Sequence, residues 1–549
     1  MDHVPAFCVE NFGCRATQAD GAALERQFEE RGLDRASAAD ADVVILNTCT
    51  VTAAADQDAR AAIRRVQRQN PNARIVVTGC YAQRAPEEIA ALPGVTCVVG
   101  NSHKHQLAEI ALPNVFARSA RNKHLQEGCE RAGHDLSRAV TAAHSPASAA
   151  EGSPRGHMAA FVPLASLASK GWEPEAGARI FVSDIFAHTE LVAAPVFDLL
   201  GDARDSQRTR PNLKVQDGCD NRCSFCVIPY VRGQSRSLPL PQILHEVNAL
   251  VEAGYCEVVV SGINLGRWGR DLADSDQASA IGENGQRRSF EDLLRAILAE
   301  TSLEKLRISS VEPMDWTDEL IALVAESPRI AEHAHVPLQS GSDAVLRRMH
   351  RKYRPWHYRE KIEKIRAAMP AAAIGADVMV GFPGETDAEF EATRSLIDDL
   401  PFTYLHVFPY SARPGTPAAG MANQVPVHVA RERSRILRDL ADEKKRAFMH
   451  SFVGQTMEAV TLRSCGAGTP FDKLRAGYAR EGGGTNDCQR ANPEGVGAIT
   501  EALTDNYLKL HLKGRHEPNR WLRAHIEKVE DGALVASRES SREAAESAG

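Results

Sequence analysis

One nine-residue stretch, Gly218-Cys219-Asp220-Asn221-Arg222-Cys223-Ser224-Phe225-Cys226, constrains this chain more than any other. It follows Leu213-Lys214-Val215-Gln216, an apolar–polar run that reads as a strand, and it spaces three cysteines as CxxxCxxC. Small apolar core cysteines have no reason to gather in a Gly/Asp/Asn loop. A strand running into three thiolates suits a metal centre at one end of a sheet. Structural zinc takes four ligands, commonly as two separated CxxC-type pairs, and no second pair follows at that distance. Thiolates also hold iron–sulfur clusters, and a cluster on three cysteines keeps one iron open for a substrate. Structural cysteines, an incomplete zinc site and an open-iron cluster all stand as readings; the last accounts for most of the pattern.

The first hundred residues repeat the theme. Ala6-Phe7-Cys8-Val9 leads to Cys14, Val43-Val44-Ile45-Leu46 to Cys49, and Ile75-Val76-Val77 to Cys80. Helical stretches from Gly21 to Arg31 and Ala53 to Gln69 lie between, the second stopped by Asn70-Pro71. Strands alternating with helices imply a parallel sheet, whose post-strand loops share one ligand-binding edge. Cys14, Cys49 and Cys80 should therefore meet and hold a second open cluster. Cys8 and Cys97 lie inside apolar strands and read as core.

A chain of 549 residues is too long for one core, so two to four domains are expected. No apolar run approaches the ~20 residues of a membrane span, and Met1-Asp2-His3-Val4-Pro5 lacks the basic start of a secretory signal. A cytoplasmic location with no membrane partner is expected. Twelve cysteines are too few for a disulfide scaffold of this length, which favours metal or redox chemistry. A net charge of −7 gives no global attraction to nucleic acid, so any RNA contact must be local.

Residues 120–178 lose periodicity and read as an insertion, with Cys129 a plain thiol. After the cysteine loop the pattern is strand, helix, strand, with strands at Leu213–Gln216, Glu257–Ser261, Lys305–Ser309, His333–Leu338, Ala376–Val380 and Tyr404–Phe408. Six βα units suggest an open relative of the eightfold barrel, with chemistry at the strand C-termini. Ser261-Gly262-Ile263-Asn264, Ser310-Val311-Glu312-Pro313, Gln339-Ser340-Gly341-Ser342 and Gly381-Phe382-Pro383-Gly384-Glu385 fall on that rim. His333 and His335 alternate with apolar neighbours and read as packing. The basic, aromatic run Arg347 to Arg359 suits either RNA or a solvated helix end. A β-rich segment opens at Phe452 and closes at Ala533-Leu534-Val535. It is interrupted at 466–497, which is flanked by Cys465 and Cys488 and is too long for a barrel loop. Residues 507–528 carry six Lys/Arg against two Glu, with three His. The tail from 538 is small and polar.

The text QDGCDNRCSFCVIPYVRGQSRS resembles the radical S-adenosylmethionine methylthiotransferases. FGCRATQAD, NTCTVTAAAD and VVTGCYAQRAPEE are similar to the three cysteine motifs of that family's N-terminal domain. Thr17 and Gly21 depart from it, standing where the family usually has Asn and, nearby, Ser. The resemblance implies two four-iron, four-sulfur clusters, on Cys219, Cys223 and Cys226 and on Cys14, Cys49 and Cys80. It implies that the rim binds S-adenosylmethionine, with Gly262, Asn264, Gln339 and Asp377 as contacts. The fold implied is α/β: an N-terminal parallel-sheet cluster-binding domain (1–115), a connector with insertion (116–204), and a central open (β/α)6 radical barrel (205–446). A small C-terminal β-barrel of the TRAM type (450–537) and a disordered tail (538–549) complete it. The barrel cluster would cleave S-adenosylmethionine reductively to a radical, and the N-terminal cluster would carry the methylated sulfur. Implied partners are tRNA, an electron donor such as flavodoxin or ferredoxin, and a sulfur donor.

Gln216-Asp217, Arg307-Ile308-Ser309-Ser310-Val311-Glu312-Pro313 and Leu405-His406-Val407-Phe408-Pro409-Tyr410-Ser411 resemble the branch that modifies C2 of N6-threonylcarbamoyladenosine beside the anticodon. The alternatives are the isopentenyl-adenosine and ribosomal-protein aspartate branches and, more remotely, a non-catalytic zinc RNA-binding protein. Ser310, Glu312 and His406 would read the threonylcarbamoyl group, with Arg307, Arg413 or the Arg347–Arg359 run pairing its carboxylate.

Overall fold

A computed structural model describes residues 4–112, 178–187, 209–272, 288–463 and 499–539. All but the last residue of the insertion expected at 120–178 lies outside them, as do the 466–497 insertion, Cys129, Cys465, Cys488 and the tail from 540. The first sheet holds β1 (Ala6–Asn11), β2 (Asp34–Arg35), β3 (Val43–Thr48), β4 (Arg74–Gly79), β5 (Val95–Gly100) and β6 (Arg179–Phe181). Its order is β2-β1-β3-β4-β5-β6, every neighbour parallel. Helices cover both faces, so β3 is buried throughout. Val44, Leu46, Ile63 and Val66 pack on one side; Phe7, Leu24, Phe28 and Ile45 pack on the other. The helix Ala53–Gln69 has the bounds expected from sequence, started by the Thr52 side chain accepting from Ala55 N. The preceding helix, α1 (Arg15–Glu29), begins six residues before the expected Gly21. Its first turns carry polar residues that read as loop, yet Thr17 and Asp20 are buried.

The barrel holds β7 (Asn212–Asp217), β8 (Arg236–Ser237), β9 (Glu257–Gly262), β10 (Lys305–Ile308), β11 (His333–His335), β12 (Ala373–Val380) and β13 (Tyr404–Pro409). The ladders β7-β9-β10 and β11-β12-β13 are parallel and are joined by parallel bridges Leu306↔Ile330 and Ser310↔His335. That makes the six βα strands expected; β8 is an antiparallel addition outside β7. β11 stops at His335 rather than Leu338, because the chain turns through Gln339 at a φ of 62°. The capping boxes at Ser289/Asp292 and Thr386/Glu389 form as read.

The barrel is open between β13 and β7, and the N-terminal sheet closes it. Asn212 Nδ2 donates to Arg15 O at 2.8 Å, Ala53 N to Ser411 Oγ at 3.0 Å, and Arg413 pairs with Asp56. At the opposite end, β14 (Thr456–Thr461), β15 (Ile499–Thr504), β16 (Lys509–Lys513), β17 (Trp521–Glu530) and β18 (Ala533–Arg538) form a closed barrel. It seats on the floor of the larger one, where Arg307 Nη1 donates to Asp505 O at 2.8 Å. Tyr507 reaches in beneath His333, and its hydroxyl accepts from Arg15 Nη2 at 3.0 Å.

Candidate metal centres

β1, β3 and β4 are neighbours in register, with Asn11 opposite Asn47 and Asn47 opposite Thr78. Their ends therefore lie side by side, which brings Cys14, Cys49 and Cys80 to one edge. A Cβ on Gly13, whose φ is +124°, would stand 2.3 Å from Cys49 Cβ and 3.0 Å from its sulfur, so the first two motifs touch and only glycine permits it. The neighbouring Cys49 thiol holds Cys14, which is exposed, well below the usual thiol range; Cys14 in turn, with burial, pushes Cys49 up. Cys14 Sγ is 3.6 Å from Thr17 Oγ1, and Cys80 Sγ accepts from Asn101 Nδ2 at 3.6 Å. At the two positions that depart from the family text the packing is closed. Asn47 Nδ2 donates to Thr17 O at 2.7 Å and to Asn11 Oδ1 at 2.9 Å. Asn11 in turn occupies the space that any Cβ on Gly21 would need, 1.8 Å away. Cys8 and Cys97 stay in their strands, each thiol pushed up to about 12 by burial.

The second set sits on the loop after β7. Gly218 adopts a φ of +71°, and a Cβ there would lie 1.8 Å from Gln234 O. This close approach lets Cys219 N donate to Gly233 O at 3.1 Å. The far side is pinned by Ser224, whose N donates to Met349 O at 3.1 Å and whose Oγ donates to Arg348 O at 2.7 Å. Burial pushes the Cys219 thiol up to about 11 and Cys226 to about 12. Each would lose its proton on binding metal, which needs thiolates.

Gly262 and Asn264 come to this loop, while Gln339 meets Asp377 on the other half of the barrel, its N donating to Asp377 O at 2.8 Å. Gln216 Nε2 donates at 2.9 Å to Asp217 O and Gly218 O, while its Oε1 accepts from Asn264 N at 2.7 Å. A Cβ on Gly262 would stand 2.9 Å from that same Oε1. Asn264 Nδ2 lies 3.7 Å from Cys219 Sγ. Asp377 lies lower in the barrel, accepting from His335 Nε2 at 3.2 Å and His406 Nδ1 at 3.1 Å, and these two bonds hold its carboxyl far below the usual range despite burial. His333 is a packed core residue, bonded to Tyr404 at 2.7 Å. Sequence reasoning missed Gln216 as organiser of the rim, and Arg351, whose Nη1 donates to Cys223 Sγ at 3.3 Å while pairing with Glu312. The basic run around Arg351 is largely neutralised. Arg347 and Arg354 pair with Asp343, Arg348 with Glu389 and Arg359 with Asp399.

Residues 213–397 match the Radical SAM superfamily, and residues 6–100 match the family described as Uncharacterized protein family UPF0004. The threonylcarbamoyladenosine tRNA methylthiotransferase MtaB of Bacillus subtilis is 31% identical over 506 residues, covering 92% of this chain and 90% of that protein. The chain belongs to the radical S-adenosylmethionine methylthiotransferases. The Aquifex aeolicus MtaB is 33% identical over 86% of this methylthiotransferase and 97% of its own length. The tRNA-2-methylthio-N(6)-dimethylallyladenosine synthase of Novosphingobium aromaticivorans is 33% identical over 83% and 86%. Methylthiotransferases carry two four-iron, four-sulfur clusters and use S-adenosylmethionine. The donor sets here fit those groups. Each offers three thiols, and buried polar atoms without a partner among the described residues stand beside them: Asn221 Oδ1 and Asn264 Oδ1 at the barrel loop, Thr78 Oγ1 and Asn101 Oδ1 at the sheet edge.

Proposed function

We propose that this methylthiotransferase adds a methylthio group to C2 of N6-threonylcarbamoyladenosine next to the anticodon of tRNA. Cys219, Cys223 and Cys226 hold the barrel cluster, and Cys14, Cys49 and Cys80 hold the auxiliary one. When bound, the clusters and S-adenosylmethionine supply the hydrogen-abstracting radical and the methylthio group. The chain's residues do the rest. Gln216 fixes the cysteine loop and Asn264 together. Asn264, beside Gly262, and Gln339, from the other half of the barrel, offer their unpartnered oxygens to S-adenosylmethionine. The N-terminal sheet closes the barrel's open side and keeps water from the reacting carbon.

The observation that carries the choice of substrate is the polar layer His335–Asp377–His406 inside the barrel. His406 is largely exposed to that interior. A site lined by hydrogen-bonding groups suits a ureido, hydroxyl and carboxylate substituent and penalises an apolar isopentenyl group, which would leave those groups unpaired. The sequence grouping of Ser310, Glu312 and His406 divides: Ser310 bridges His335 in this layer, while Glu312 pairs with Arg351 beside Cys223. For the substrate carboxylate we favour Arg413. It stands on the seam with Thr50, next to Cys49; its Nη2 pairs with Asp56, and its Nε and Nη1 have no partner among the described residues. Arg307 is spent on Glu257 and Asp505 in the floor. Asp377 then serves the substrate layer rather than S-adenosylmethionine.

On the small barrel, Lys509, Lys513, Arg523 and Lys528 pair with glutamates at the surface; tRNA phosphates would compete for these cations. The radical step needs an electron donor of the flavodoxin or ferredoxin class, and turnover needs a sulfur donor. No helix among the described residues is long and apolar enough to cross a membrane, and we place the enzyme in the cytoplasm with its tRNA. Mass spectrometry of tRNA nucleosides from cells with and without the gene tests the assignment. Deletion should abolish the 2-methylthio form of threonylcarbamoyladenosine and spare the isopentenyl form. Persistence of the threonylcarbamoyl product, with loss of a ribosomal aspartate's methylthio group, would refute it.

A further inference from the structure

Five ionisable side chains, distant in sequence, meet at the seam between the N-terminal sheet and the barrel. Asp20 lies on α1, six residues after Cys14, and Lys104 on the turn Asn101–Gln106. Lys214 and Asp217 lie on β7, and Arg232 ends the helix Ile228–Arg232 just beyond Cys226. Lys104 Nζ lies 3.0 Å from Asp20 Oδ2, Arg232 Nη2 2.8 Å from the same oxygen, Arg232 Nη1 2.9 Å from Asp217 Oδ1, and Lys214 Nζ 2.8 Å from Asp217 Oδ2. Lys214 also pairs with Asp20. None of the five is more than 7% exposed.

Burial alone would push the Asp20 carboxyl up, but Arg232, Lys104 and Lys214 together hold it well below its usual range. Three basic side chains thus face two acidic ones, an excess of one positive charge in the buried seam, whose cost shows in the Lys104 ammonium, drawn below its usual range by burial. Such an excess is costly unless another charge answers it. The groups beside it are the auxiliary cysteines: Cys80 packs against Val231, the residue before Arg232, and Asn101 Nδ2 donates both to Cys80 Sγ at 3.6 Å and to Val231 O at 2.7 Å. Arg232 Nε, buried, has no partner among the described residues. A four-iron, four-sulfur cluster on three thiolates carries a net negative charge in its oxidised state, and such charge sets its potential.

We propose that this network is the counter-charge of the auxiliary cluster, with Lys104 and Arg232 raising its reduction potential and Asp20 and Asp217 tying it to the barrel's cysteine loop. Asp217 Oδ1 accepts from Gly218 N at 2.8 Å, so the network grips the residue that opens that loop. The inference rests on the reading that Cys14, Cys49 and Cys80 hold a cluster. Lys104, Arg232 and Asp20 are positioning residues: they act through the cluster's charge and touch no substrate.

The test is a potentiometric titration, followed by electron paramagnetic resonance, of the full chain with Cys219, Cys223 and Cys226 changed to Ala, so that one cluster remains. Lys104→Met should shift its potential negative, Asp20→Asn should shift it positive, and Lys104→Arg should restore the parent value. Opposite shifts from two changes in one network separate a charge effect from loosened packing. Unmoved potentials, or shifts of the same sign, overturn the proposal. If Asp20→Asn does not fold, the Lys104→Met and Lys104→Arg pair decides alone. Iron content keeps the underlying reading separate. If changing Cys14, Cys49 and Cys80 to Ala leaves iron undiminished, that reading fails; if iron is lost there while potentials stay fixed, only the counter-charge proposal fails.

Discussion

Gly218→Ala should empty the barrel loop of its cluster while leaving the protein folded. The φ of +71° alone costs an alanine ~1–3 kcal/mol. The new Cβ would also stand 1.8 Å from Gln234 O, whereas a comfortable C···O separation is about 3.3 Å. Backbone must therefore move, and it is the backbone that carries Cys219. Displacement breaks Cys219 N to Gly233 O and Gln216 Nε2 to Gly218 O, at ~1 kcal/mol each. The sum, roughly 3–5 kcal/mol, lies at or below the ~5–15 kcal/mol that holds a domain folded. The loop yields before the fold does. Gly415 provides the control: its φ is +84° with nothing within 4 Å of a Cβ, so Gly415→Ala should cost only ~1–2 kcal/mol and keep its iron. The assay is iron per chain after anaerobic reconstitution, with release of 5′-deoxyadenosine from S-adenosylmethionine. Gly218→Ala should lose about half the iron and the cleavage, with a native circular-dichroism spectrum. Wild-type iron and cleavage from Gly218→Ala would refute the geometry.

His406→Ala should raise KM for a threonylcarbamoyl-bearing anticodon stem-loop about tenfold, the worth of one ~1.4 kcal/mol hydrogen bond, with little change in cleavage of S-adenosylmethionine; an unchanged KM counts against the polar layer. Arg413→Gln should weaken the same substrate by a larger factor and leave a carboxylate-free analogue unaffected, read from the KM ratio of the two. Glu257→Gln takes from Arg307 and Arg210 the carboxylate they share in the barrel floor, where Arg307 and Glu257 side chains are both 0% exposed. Breaking such a pair costs ~3–5 kcal/mol, and thermal unfolding should move down by several degrees.

The cysteines were legible because their chemistry is written in spacing: three thiols in a polar loop, and three at the ends of alternating strands, have few uses besides metal. The six barrel strands showed for the same kind of reason, each being a short apolar run closed by a polar rim motif. The early start of α1 did not show, since Thr17 and Asp20 are polar and ordinarily mark a surface; here they are buried against the seam. The network of Asp20, Lys104, Lys214, Asp217 and Arg232 was invisible because its members span more than two hundred positions and meet only when two domains dock. The run Arg347 to Arg359 read equally as an RNA contact or a solvated helix end, because the carboxylates that pair with Arg348 and Arg359, Glu389 and Asp399, lie on a helix distant in sequence.

The division of labour between the two cysteine sets is tested most directly by measuring iron, 5′-deoxyadenosine and methylthiolated nucleoside together on two triple variants. Wild-type protein should hold about eight iron per chain. With Cys14, Cys49 and Cys80 changed to Ala, about half the iron should remain, S-adenosylmethionine should still be cleaved, and no methylthiolated nucleoside should form. With Cys219, Cys223 and Cys226 changed to Ala, half the iron should again remain but cleavage should cease. Full product yield from the first variant, or 5′-deoxyadenosine from the second, would contradict the assignment.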